Sequence, residues 1–165
     1  MQNRYNYIFD NITSTYNFTT KNNILYRVAF IVDSTFTTIS QEEIPNVYQL
    51  IVEKANDEIE PLDAKVSWTI GDIVERFLDN IKNSLVYVCA DIDSRASIRL
   101  DTFDRWYQRS DAREKILKID KIIQIEIHKE MHRLYTSLMF HKDNPHRKKL
   151  ISIYNNIEKF LNEEK

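Results

Sequence analysis

The sequence predicts an α+β fold: an N-terminal antiparallel β-meander, then helices packed on a mostly antiparallel sheet, in the order β-β-β-β-α-β-α-β-β-α. Three observations carry this reading. Aromatic residues alternate with polar ones through the first 55 positions, as on strands with one buried face. Later segments repeat apolar residues at helical spacing. Between them lies Leu85-Val86-Tyr87-Val88-Cys89-Ala90, apolar on both faces, as a strand in the middle of a sheet must be.

In chain order, Tyr5, Tyr7 and Phe9 share one face of a first strand. Tyr16 and Phe18 repeat the pattern, as do Tyr26, Val28, Phe30 and Val32, then Tyr48, Leu50 and Val52 within Val47 to Lys54. Asn and Asp stand at the intervening turns, where they tolerate positive φ better than other non-glycine residues. The aromatic face is expected to pack under helices. Residues 56–65, acidic and containing Pro61, read as a loop. Thr69 is expected as the N-cap of the first helix, with Ile70, Ile73, Val74, Phe77, Leu78 and Ile81 as its buried stripe and Asn83 as its C-cap.

A second helix is expected over Arg95 to Gln108, with Ala96, Leu100, Phe103 and Tyr107 inward. Leu117 to Ile127 alternates as a long strand, and Leu134 to Phe140 is its hairpin partner. Asn144-Pro145 supplies N-cap and N1 for a final helix whose stripe is Leu150, Ile153, Tyr154, Ile157, Phe160 and Leu161. No repeat or composition break divides the chain. Residues 1–165 read as one domain: meander 1–55, loop 56–65 and a mixed part 66–165.

Composition excludes several function classes. The chain holds a single glycine, Gly71, so a dinucleotide-binding turn, a Walker A loop and a nucleophile elbow are all missing their glycines. Gly71 lies in the expected first turn of a helix, and close packing against a neighbouring backbone is the expected reason for it. One cysteine, Cys89, excludes an internal disulfide and a cysteine-rich zinc site; it reads as a core thiol. No metal site or cofactor is expected: His128 and His132 are spaced i, i+4 but fall at an expected hairpin turn and not on a helix, and no His/carboxylate triad spacing occurs. The sequence shows no apolar leader and no membrane-length apolar run, so a cytoplasmic protein is expected.

Net charge is −2, so no bulk field recruits an anionic partner. Residues 1–70 carry 5 Lys/Arg against 9 Asp/Glu, a net of −4, and residues 131–165 carry 7 against 4, a net of +3. Two basic features follow from this asymmetry. Arg95, Arg99, Thr102, Trp106 and Arg109 recur along one side of the second helix, where guanidinium forks and an indole suit a phosphate or carboxylate. The alternative is a solvated face whose arginines pair with Asp91, Asp101 or Asp104. Lys142, Arg147, Lys148 and Lys149 crowd the start of the final helix, where cations oppose the helix dipole and free N–H groups can hold an anion. Asp91-x-Asp93 at the end of the apolar strand is better read as helix capping than as a metal or nucleophile site.

From Thr69 to Trp106 the chain resembles a family of small Bacteroidota proteins of unassigned function. The residues that carry the likeness are Thr69-Ile70 opening a helix, an apolar strand ending in Cys89 and Asp91, then Asp93, Arg95, Arg99, Phe103 and Trp106. The resemblance implies a cytoplasmic bacterial protein and supplies no activity. The residues themselves favour a non-enzymatic binding module whose two basic features engage a nucleotide, RNA or an acidic protein, in one pocket if the two converge in the fold; if they lie on opposite sides the reading loses most of its weight. A small metal-independent nuclease or toxin-like enzyme using His141 or His146 as base is the alternative. A structural oligomerisation domain that forms a homodimer is a third.

Overall fold

A computed structural model describes residues 3–55, 63–90 and 96–163. The expected α+β architecture is present. One sheet holds β1 (Ile8–Asp10), β2 (Thr15–Thr19), β3 (Leu25–Val32), β4 (Val47–Lys54), β5 (Ser84–Ala90), β6 (Ile116–Ile127) and β7 (Glu130–His141). The strand order is β1-β2-β3-β4-β5-β7-β6. Every neighbouring pair is antiparallel except β4 and β5, which run parallel.

The helices are α1 (Thr35–Ser40), α2 (Ala64–Leu78), α3 (Ala96–Arg109) and α4 (Arg147–Glu163). Alternation along the strands sends residues to two cores. On one face Val28, Leu50, Leu85 and Met139 meet Ile70, Ile73, Val74 and Leu78 of α2 and Phe103 and Trp106 of α3. On the other, Val47, Val86, Ile123, Leu138 and Phe140 meet Phe36 of α1 and Leu150, Tyr154 and Ile157 of α4. The meander's aromatic side packs into the first of these cores, as expected, with Phe30 stacked on Phe77 of α2 at 3.8 Å between ring centroids. The turns use non-glycine residues at positive φ, including Ser14, Asn23 and Asn46, and His128-Lys129 closes the β6–β7 hairpin.

Several boundaries differ from the expectation, for local reasons. Helix α1 has no apolar stripe long enough to announce it; it is six residues that bury Phe36. Helix α2 starts five residues before Thr69. Asp63 is its N-cap, accepting from the Lys65 N–H at 2.9 Å, and residues 63–65 therefore belong to the helix start and not to a loop. Thr69 is buried inside the helix, donating to the Lys65 carbonyl and accepting from Tyr5 N–H. The C-cap is Asp79, but Asn83 still serves the helix end by donating to the Phe77 carbonyl at 3.0 Å.

Gly71 consequently sits mid-helix. A Cβ built on it would lie 2.0 Å from Trp106 Cε2, so the close neighbour is an indole side chain and not a backbone. The last helix begins at Arg147, after Asn144 Oδ1 accepts from His146 N–H at 2.8 Å. Buried Asn144 also donates to the Asn83 carbonyl and to Ser84 Oγ, tying the start of α4 to the start of β5.

Candidate functional site

The centre of the sheet contains a break that parallel pairing creates. β4 and β5 pair at Val47↔Ser84, Tyr48↔Leu85 and Gln49↔Val86, and then stop. Both strands continue. β4 runs on to Lys54, held by β3 through Tyr26↔Lys54, and β5 runs to Ala90, held by β7 through Ala90↔Leu134. Among the described residues, the edges of Leu50–Glu53 and Tyr87–Val88 that face one another form no ladder. In a strand, alternate residues aim N–H and C=O to opposite edges, so main-chain donors and acceptors line both sides of this wedge. It opens at the carboxyl ends of adjacent parallel strands, with crossover helices following each strand; crevices of this kind hold ligands in open α/β sheets. Val88, on a central strand, is 39 % exposed.

The wedge is flanked on the α3 side by Tyr87, which packs on Phe103. Burial pushes the Tyr87 hydroxyl well above the usual tyrosine range, and the Cys89 thiol adds to the shift. The positive charge of exposed Arg99, in the first turns of α3, acts the other way on the same hydroxyl. Arg99 is therefore within electrostatic reach of the Tyr87 hydroxyl. Cys89 is buried, as the apolar strand predicted.

The remaining basic residues separate. Arg95, Asp91 and Asp93 lie outside the described residues. Trp106 is 2 % exposed and faces the core, which corrects the expected outer stripe: the helix is rotated so that Phe103 and Trp106 point inward. The physical reason is Gly71, whose missing side chain lets α2 accept the indole at contact distance. Arg109, at the other end of α3, is exposed and lines a cavity of about 400 Å³ with Arg4, Trp68, Asp72 and Trp106.

The cluster at 141–149 belongs to the start of α4, the helix that packs on the opposite face from α3. Its groups are engaged locally. Arg147 donates to the Lys142 carbonyl at 3.0 Å, Lys149 pairs with Glu42, and His141 Nδ1 accepts from Asp143 N–H at 3.1 Å. The Glu42 carboxyl is held below its ordinary range by the Lys149 ammonium. Lys148 is exposed, and His146 is half-buried. The described α3 arginines and the α4 cations thus lie on opposite faces of the sheet, and neither His141 nor His146 forms a hydrogen bond or ion pair with an arginine among the described residues.

A charge network around one buried lysine was invisible to sequence spacing. The Lys118 side chain is 1 % exposed, lies 3.0 Å from Asp104 and 2.6 Å from Asp120, and sits over the Tyr107 ring. Ser137 donates to Asp120. The β6–β7 register brings Ser137 opposite Asp120. No group of three or more His, Cys, Asp or Glu side chains able to hold a metal occurs among the described residues. No described helix is long and apolar enough to cross a membrane.

A sequence profile of the family of unknown function DUF6169 matches residues 62–159, more than half of the chain, and the chain belongs to that family. No curated protein matches it. Among solved structures, the chain is similar to one provisionally assigned as a phosphinothricin N-acetyltransferase, at 11% identity and a TM-score of 0.43. The match covers 77% of this chain and 70% of that one.

Proposed function

We propose that this family member is a binding module whose ligand enters the wedge between β4 and β5. The observation that carries the reading is the loss of pairing after Gln49↔Val86 while both strands continue. Unpaired main-chain groups in the middle of a sheet are matched at little cost by an extended ligand with its own amides, much as an added strand completes a sheet. Arg99 supplies a charge for an anionic end at the α3 side. Main-chain groups along the wedge and a guanidinium at its side call for a molecule that bears both amides and an anionic group, which favours a nucleotide-like molecule with an extended arm over folded RNA or an acidic protein surface.

Three probes separate the parts of this reading. Coenzyme A carries phosphates and an amide-bearing arm; ATP has phosphates alone; a short neutral peptide has amides alone. Thermal-shift and amide chemical-shift titrations at low ionic strength, where charge recognition is least screened, should rank coenzyme A first. Its shifts should centre on Leu50–Glu53 and Tyr87–Val88. Shifts confined to α4, or none with any probe, would remove the wedge as the site.

One observation favours self-association as a second reading. The short edge strand β1 and its turn expose Ile8 at 74%, Phe9 at 48% and Ile12 at 96%, an apolar edge of the kind that pairs with another chain. Sedimentation at two concentrations tests it: a concentration-independent monomer mass removes this reading.

A further inference from the structure

The cavity at the far end of α3 is a second, separate pocket. Its walls are Asn3 and Arg4 of the N-terminal segment, Trp68, Asp72 and Glu75 of α2, and Trp106, Arg109, Ser110 and Asp111 at the end of α3. Its volume of about 400 Å³ lies in the range of small-molecule sites. Arg99 and Arg109 are ten residues apart, about 15 Å along the helix, so the pocket stands apart from the wedge and does not rest on the wedge reading.

Much of its charge is already used. Asp72 accepts from Tyr7 Oη at 2.6 Å and pairs with Arg76 at 3.2 Å and Arg4 at 3.7 Å. Glu75 pairs with Lys115 at 3.0 Å, and Ser110 donates to the Tyr107 carbonyl. Five groups remain without a polar partner among the described residues: the Arg109 guanidinium, the Asp111 carboxylate, the Asn3 amide, the Trp68 indole N–H and the indole N–H of Trp106. The last is the most telling. Trp106 is 2 % exposed, and a buried indole N–H ordinarily finds an acceptor. Arg109 and Asp111 border one cavity with opposite charges and form no ion pair with each other.

We propose that this cavity binds a free α-amino acid with an apolar side chain. The ligand carboxylate accepts from Arg109 and from the Trp106 indole N–H. Its ammonium donates to Asp111, and its side chain lies against the indoles of Trp68 and Trp106. A zwitterion uses both open charges, whereas a simple anion would leave Asp111 facing like charge.

The chain has two tryptophans, and both line this cavity, so intrinsic fluorescence reports occupancy directly. Leucine, N-acetyl-leucine (no ammonium) and leucinamide (no carboxylate) are titrated in parallel. Leucine should give a saturable change in emission. Each blocked compound should bind at least about tenfold more weakly, the loss expected when one charged hydrogen bond is removed. Arg109→Ala and Asp111→Asn, both at exposed positions, should keep the fold by circular dichroism and weaken leucine by a similar factor. Trp106→Phe keeps the ring packing, removes the N–H and should weaken leucine while Trp68 still reports. No saturable change with leucine up to about 10 mM, well into the weak end of small-ligand affinity, overturns the proposal and leaves a solvent-filled cavity only. Equal binding of the three compounds overturns it too.

Discussion

The two faces of the sheet are built from different materials. The α2/α3 face is aromatic: Phe18, Tyr26, Phe30, Tyr48, Phe77, Phe103 and Trp106 pack there, beside the network of Lys118, Asp104 and Asp120. The α1/α4 face is mainly aliphatic, with Val47, Val86, Ile123, Leu138, Leu150 and Ile157 around Phe36, Phe140 and Tyr154. The difference follows from connectivity. α2 and α3 come directly after the carboxyl ends of β4 and β5, so they border the wedge and enclose the cavity. α4 follows the antiparallel β6–β7 hairpin, whose two strands pair with each other from Ile116↔His141 to Ile127↔Glu130. Large planar side chains and a glycine are needed where helices approach unevenly; aliphatic side chains suffice where one helix lies on regular strands.

If that contrast is right, the largest single loss of stability comes from the aromatic face. Trp106→Ala empties an indole-sized volume and should cost about 3–5 kcal/mol by urea denaturation. Gly71→Ala comes next. Its added Cβ would overlap the indole, and overpacking of this kind costs about 1–3 kcal/mol, more than the roughly 1 kcal/mol that alanine gains in a helix interior. Pairing Gly71→Ala with Trp106→Leu should recover part of that loss; strict additivity would mean that the two residues do not define the α2–α3 approach.

On the aliphatic face, Tyr154→Phe removes one hydroxyl bond to Thr136, worth about 0.5–1.5 kcal/mol. Burial raises the hydroxyls of both Tyr7 and Tyr154 from 10.0 to about 12. Each favours the folded state in its neutral form. That stability is complete below about pH 10 and lost as pH rises toward about 12, so alkaline unfolding should begin in this window and shift upward in Tyr7→Phe. Lys149→Ala should be the smallest effect, within about 0.5 kcal/mol, because its pair with Glu42 is exposed.

The elements were legible wherever one periodicity dominated. Val47–Lys54 was read with its observed bounds, and the apolar Leu85–Ala90 run fixed the central strand. What failed depended on neighbours distant in sequence. Asp63 and not Thr69 is the N-cap, and Thr69 inside the helix instead accepts from Tyr5 N–H, a contact 64 positions away. Trp106 shares a helical stripe with Arg99 and Arg109, and only the gap at Gly71 turns it inward. The wedge left no local signal at all, since β4 alternates normally through it. Of the expected anion-site residues, Arg99 acts electrostatically on the Tyr87 hydroxyl and Arg109 lines the cavity, while Lys142, Arg147, Lys148 and Lys149 belong to the other face.

The openness of the wedge can be measured without knowing any ligand. Backbone amide hydrogen exchange, read residue by residue, should show slow exchange at Tyr48 and Gln49, where β4 is paired on both edges. Beyond them, slow and fast amides should alternate through Leu50–Glu53, because every second N–H faces the gap. Uniform slow exchange along both strands would mean that the edges are already paired, and the wedge would not be a site.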